Sequence, residues 1–213
     1  MKFLFISLIF ICCINKLNAQ IKAITDEGKT VILFDNNTWK YEDEGMDNEI
    51  PKEISLSKDT AVKSPKSTFL IKSKKTNFGF WINPTKWTLT SAKTNESAEF
   101  MLRNKTTEIF ALIITEEIEI ELESLRKVAI DNLKENATEV VLVNEEYRIV
   151  NGNKVLHMEF NAKINGIKVT YFGYYYSNEK GTVQYVTFSS QSIMSKYKTE
   201  CLILLNGLVE RTL

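Results

Sequence analysis

The chain has 213 residues, 44% hydrophobic and 25% charged, with 27 basic and 27 acidic side chains. That is an ordinary globular composition, enough for one core-bearing domain of roughly 130–150 residues plus appendages. No Lys/Arg stripe interleaves with aromatics, which argues against nucleic acid as a partner, and a single histidine, His157, excludes a histidine metal cluster.

Met1-Lys2 is a basic start, Phe3 to Ile14 is apolar, and Leu17-Asn18-Ala19 ends in a small residue. This predicts a secretory signal peptide over 1–19, cleaved after Ala19, and so a periplasmic or secreted protein. The apolar run is too short to span a bilayer, and no later run is long enough, so no membrane span is expected after the leader. Ile11 precedes Cys12, where a lipoprotein signal would place a small residue; a lipid anchor is the lesser alternative. Loss of Lys2 and Lys16 takes the basic count from 27 to 25 against 27 acidic, a formal charge of −2. Cys201 is then the lone cysteine, so no intramolecular disulfide is expected, and its apolar helical setting reads as a small buried hydrophobe.

Residues 20–42 read as a small β-meander: Ile21 to Ile24, a turn at Asp26-Glu27-Gly28, Thr30 to Phe34, a turn at Asp35-Asn36-Asn37, then Thr38 to Tyr41. So few residues cannot bury a core alone and must dock elsewhere. The pattern Asp26-x-Gly28-Lys29-x-Val31-x-Leu33, followed by Thr38-Trp39-x-Tyr41, resembles a short module that opens many exported proteins of Gram-negative bacteria. Residues 43–67 are polar, hold two of the chain's three prolines and lack periodicity, which predicts a flexible linker.

The main domain, 68–213, opens with strand-like Phe78 to Ile82, broken by Asn83-Pro84 and resumed at Trp87 to Thr90. Ala98 to Arg103 and Ile109 to Ile118 read as two more strands. Leu122, Leu125, Ala129 and Leu133 then recur at helical spacing, predicting an amphipathic helix over 121–135. Val140 to Val150 returns to strand, and Asn151-Gly152 turns it. A meander follows from Asn153 to Ser190, punctuated by Asn165-Gly166, the strongest short-range hairpin signal. The run from Ile193 to Val209 predicts a closing helix with Ile193, Tyr197, Cys201, Leu204, Leu205 and Leu208 on one side.

The opening Phe80-Trp81-Ile82-Asn83-Pro84-Thr85-Lys86-Trp87, the mid-chain helix, the Asn-Gly meander and the closing apolar helix together resemble the PsbP/Mog1-like family over about residues 76–210. The resemblance implies an α+β fold in which an antiparallel sheet is sandwiched between helices. It also implies an accessory or protein-binding role rather than an enzyme.

A two-residue turn at Asn165-Gly166 opposes Ile164 to Ile167 and sets the register along both strands. Leu156, Met158, Phe160 and Ala162 then share a core face with Val169, Tyr171, Gly173 and Tyr175. The other face carries His157 and Glu159 against Tyr174 and Phe172. Pairing Tyr176 with Thr182 across the next hairpin puts Gln184 in the row of Tyr174. Two readings of the row His157–Tyr174–Gln184, flanked by Glu159, Phe172 and Val186, stay open. It lines a small-ligand site among aromatics, or it is a buried hydrogen-bonded set under a helix layer, the commoner arrangement.

Glu116, Glu117, Glu119, Glu121 and Glu123 gather at a helix start, where the macrodipole favours acidic residues, and no calcium-loop spacing accompanies them. Four glycosylation sequons, at Asn36, Asn95, Asn104 and Asn136, matter only in a eukaryotic secretory pathway. Nucleophile elbows, phosphate loops and zinc-protease motifs do not occur in the sequence. The expected function is an exported, non-catalytic accessory protein that binds another envelope or secreted protein, with no cofactor and no metal. The alternative is a carrier or sensor of a small apolar ligand held between sheet and helix.

Overall fold

The computed structural model describes residues 21–25, 30–34, 38–41, 54–90 and 95–211. The signal peptide and lipid-anchor expectations, the two turns of the N-terminal meander and the first part of the expected linker lie outside them. The chain divides into two compact units, Met1–Lys52 and Glu53–Leu213. In the first, β1 (Ile21–Ile24), β2 (Thr30–Leu33) and β3 (Trp39–Tyr41) form an antiparallel three-stranded sheet in the order β1-β2-β3, with Val31 and Ile32 buried.

The second unit runs β4 (Leu56–Ala61), β5 (Phe69–Lys72), β6 (Phe78–Ile82), β7 (Trp87–Leu89), β8 (Phe100–Asn104), β9 (Phe110–Glu116) and α1 (Leu122–Asn136). It continues with β10 (Glu139–Val150), β11 (Asn153–Ile164), β12 (Ile167–Asn178), β13 (Gly181–Ser190), α2 (Gln191–Leu205) and β14 (Leu208–Glu210). Eight strands make one sheet in the order β4-β10-β11-β12-β13-β9-β8-β7, and β14-β6-β5 make a second, smaller one. All pairs are antiparallel except β4 on β10.

The meander is the spine. Ile164 pairs with Ile167 across Asn165 (φ 50°) and Gly166 (φ 81°), a turn in which both central residues take the left-handed region that Asn and Gly tolerate. Period two then sends side chains to two faces, and both faces are core. On one, α2 and the β14-β6-β5 sheet bury Phe172, Tyr174, Tyr185, Phe80 and Leu208. On the other, α1 places Leu125 and Ala129 on Leu156, Met158, Phe160 and Tyr175. The sheet is thus sandwiched, with one helix to each face.

Two sequence expectations are corrected here. The stretch read as linker, 43–67, includes strand β4, whose Leu56 and Thr60 pair with Tyr147 and Ile149. Its sequence LSKDTA is polar because it is an edge strand held by backbone bonds rather than by an apolar stripe. The closing helix stops at Leu205, and Leu208, expected on it, lies in β14. The stop comes at Gly207, whose carbonyl accepts the Trp81 N–H at 2.8 Å. A Cβ on Gly207 would sit 1.9 Å from the Trp81 oxygen, so only glycine lets the chain pass this close to β6.

Candidate functional site

His157 pairs with Tyr174, and Glu159 with Phe172, as the turn at Asn165-Gly166 requires. His157, Phe172 and Tyr174 are each 0% exposed. The imidazole meets Phe172 edge-on at 4.4 Å between ring centres and Tyr174 at 5.7 Å. Its Nδ1 lies 3.0 Å from the Gly173 carbonyl oxygen, so this nitrogen carries the proton, and Nε2 has no partner. Burial, reinforced by the positive charge of Arg148, pushes the histidine down to about 3. A neutral, enclosed ring of this kind cannot shuttle protons at ordinary pH.

The groups around it are also spoken for. Tyr174 donates to Asn206 Oδ1 at 2.8 Å and accepts from Arg148 Nη1 at 3.3 Å, while Arg148 itself pairs with Glu146. Glu159 is held by Lys198 of α2, whose ammonium also lies 5.3 Å from the centre of the Phe172 ring. Cys201 is buried against Met194, and burial raises its thiol to about 11. The structure therefore brings together His157, Tyr174, Phe172 and Glu159 as a packed, largely hydrogen-bonded set.

Gln184 is not part of that set. The ribbon of β12 and β13 continues to Asn178 opposite Gly181, so Tyr176 pairs with Val183 and Gln184 with Tyr175. Asn178 Oδ1 accepts the Lys180 N–H at 2.8 Å, closing a two-residue turn where the sequence suggested five. A slip of one residue moves every side chain to the opposite face. Gln184 and Val186 consequently face α1.

There they border an open cleft of about 530 Å³. Its floor is Leu112, Ile114, Tyr171, Tyr175, Val186 and Phe188, and its wall is the α1 flank, Val128, Ala129, Asn132, Leu133 and Asn136. Tyr171 and Phe188 stack at 5.7 Å, and Phe188 stacks in turn on Phe110. The cause is geometric. α1 packs mainly on β10, β11 and β12 and reaches β13 and β9 only at Val186 and Leu112, so among the described residues no helix covers the rest of the β13-β9 part of this face. Sequence reasoning placed Tyr171 and Tyr175 on this face but took it for closed core. The available signal was arithmetic: one amphipathic helix is about 10 Å wide, whereas neighbouring strands are spaced about 4.8 Å, so it covers two or three strands.

The mid-chain glutamates do no shared work that the contacts reveal: Glu121 caps α1 without a side-chain bond and Glu123 lies in its first turn. Among the described residues no three His, Cys, Asp or Glu side chains are placed to hold a metal ion. No helix among them is long and apolar enough to cross a membrane.

No family model matches the sequence. No curated protein matches it significantly either. Solved structures do match. The cyanobacterial PsbP protein (CyanoP) of Synechocystis sp. PCC 6803 superposes with a TM-score of 0.50 at 10% identity, over 69% of this chain and 94% of that one. PA94 of Pseudomonas aeruginosa, a protein of unknown function, gives 0.44 at 7% identity over 68% and 98%. LpqN of Mycobacterium tuberculosis, involved in cell envelope biogenesis, gives 0.39 at 10% identity over 75% and 90%. At such identity the likeness speaks for the fold and not for a shared site. With its eight-stranded sheet, one helix to each face and small antiparallel sheets, the chain has the PsbP/Mog1-like fold.

Proposed function

We propose that the protein is an exported, non-catalytic accessory protein whose main domain receives apolar side chains of another envelope or secreted protein in the cleft beside α1. The observation that carries this is the half-covered sheet face, where Tyr171, Val186 and Phe188 form an aromatic and aliphatic floor bordered by Gln184, Asn132, Asn136, Ser97 and the carboxylate of Glu116. Apolar surface rimmed by polar side chains is what a protein interface presents. The chemistry of the buried side favours binding over catalysis: His157 and Cys201, the two side chains best suited to proton transfer or nucleophilic attack, are both enclosed and neutral.

A second reading, a carrier of a small apolar ligand, rests on the cleft volume, about 530 Å³, which falls inside the range of small-molecule pockets. It keeps the ligand between sheet and helix but on the α1 face, away from His157. Site-specific photo-crosslinking separates the two. A photoreactive residue at Val128 is expected to give one defined protein adduct in envelope or secreted fractions, lost when Tyr171 is changed to Ala. Adducts that are indifferent to Tyr171→Ala, or none, defeat the proposal. A lipid-sized adduct at the same position, identified by mass spectrometry, selects the second reading.

A further inference from the structure

A second groove, of about 360 Å³, lies on the opposite side of the domain between the outer flank of α2 and the connections around β7. We propose that it is a binding site for a small apolar carboxylate, an aromatic or branched body carrying one acidic group.

The lining divides by chemistry. Tyr197, Ile203, Leu204 and Trp87 supply apolar surface, and Lys66, Lys86 and Lys196 supply three positive charges against one carboxylate, Glu200. That carboxylate is already engaged: its Oε1 accepts Asn104 Nδ2 at 2.7 Å and its Oε2 lies 3.7 Å from Lys86 Nζ. Lys66 and Lys196 therefore bring charge to the groove that Glu200 does not neutralise. Ile203 is 42% exposed and Tyr197 36%, on a helix whose other side is solid core, so these two large side chains are free to cover a guest.

One residue of the lining is sealed behind it. Ser67 is 1% exposed, and its hydroxyl has no hydrogen-bond partner, although buried hydroxyls are normally satisfied. A guest with one carboxylate matches such a lining: oxygens for the lysines and an apolar body for the Tyr197–Ile203 flank. The volume stands at the low end of ligand pockets, which suits a small acid better than an extended chain.

The site is independent of the α1 cleft, and its test is read separately. The full mature chain is titrated with phenylbutyrate, with phenylbutanol as the uncharged control, by calorimetry and by amide chemical shifts. Saturable binding of the acid is expected, with shifts clustered on α2 near Tyr197 and Ile203. Affinity is expected to drop about tenfold in the Lys66→Ala/Lys196→Ala double variant and to weaken with added salt. Val128→Asp, on the other side of the sheet, leaves it unchanged. Equal affinity for acid and alcohol overturns the proposal, as does binding indifferent to the double variant or absent at millimolar concentration. Tighter binding of the peptide N-acetyl-Ala-Ala-Phe than of phenylbutyrate overturns the small-molecule assignment. Both lysines are exposed, so thermal melting of the double variant verifies that the fold survives.

Discussion

On one face of the central sheet, α2 and the small β14-β6-β5 sheet leave Phe172, Tyr174 and Tyr185 with no accessible surface. On the other, α1 seals Leu125 and Met158 but stops short of Tyr171 and Phe188, which line an open cleft. The same strands supply both faces, and the same kinds of side chain point each way. What differs is the cover: two elements against one. The closed face is where burial is deepest and where Tyr174 and Glu159 are tied down, while His157 Nε2 and the Tyr185 hydroxyl are buried without a partner. The open face is where a change can be made without unfolding the protein, and that is the property a binding surface needs.

The closure of the filled face is broken most directly at Gly207. Replacing it with Ala puts a methyl carbon 1.9 Å from the Trp81 carbonyl oxygen and 3.0 Å from that of Leu204. Neither neighbour is a flexible side-chain end, so β14 must leave β6 or the end of α2 must shift. Gly207→Ala is expected to cost about 3 kcal/mol or more, read as a lower urea midpoint at unchanged slope.

Much of this division was legible before any coordinates. Asn165-Gly166 placed Ile164 opposite Ile167, and from that one turn followed the two-faced meander and the His157–Tyr174 pair. The rest depended on contacts that local patterning does not encode. LSKDTA carries no apolar alternation, because β4 joins the sheet by backbone bonds at its parallel edge. The run LILLNGLV reads as one helix until the approach of Trp81 to Gly207 is known. Gln184 fell on the wrong face because Ser177 to Gly181 permits turns of two or five residues, and only the Asn178 side chain decides between them. His157, Glu159, Phe172 and Tyr174 are neighbours as the turn predicts, while Gln184 borders the cleft on the other face.

The next largest effect is acid sensitivity centred on His157. Burial, with Arg148 and Lys198 nearby, lowers its folded-state value to about 3, against about 6.5 for an unfolded chain. Protonation is thus easier in the unfolded state. Its contribution is fully retained above pH 6.5 and is lost as the pH falls toward 3, at about 1.4 kcal/mol per unit. Between pH 6.5 and 5 ordinary carboxylates remain ionised. Over that window the wild-type chain is expected to lose about 2 kcal/mol of stability, and the His157→Phe variant almost none. Matching slopes for the two proteins would mean that the imidazole is not enclosed.

Removing the Tyr174 hydroxyl tests the polar pins on the same face. It takes away a donor to Asn206, the C-cap of α2, and an acceptor for Arg148 of β10. Tyr174→Phe keeps the ring packing and is expected to cost about 1–2 kcal/mol. Double-mutant cycles with Asn206→Ala should give less than the sum of the single losses, because the two side chains share one bond.

Val128 offers the smallest effect on folding and the sharpest contrast. It lies on α1 beside Ala129, but it is 41% exposed and borders the cleft instead of entering the Leu125 cluster. An aspartate there remains hydrated, sits mid-helix where the macrodipole is weak, and deletes only part of an apolar wall. Val128→Asp is accordingly expected to change stability by about 0.5 kcal/mol or less, whereas Leu125→Ala, one turn earlier and 1% exposed, costs about 2–4 kcal/mol. The binding ledger should run the other way. A charge at the mouth of the cleft must be desolvated when a partner docks, so Val128→Asp should abolish the crosslinked adduct seen from a probe at Asn132. If Val128→Asp unfolds the protein, the cleft is part of the core after all; if it folds and still forms the adduct, the partner sits elsewhere.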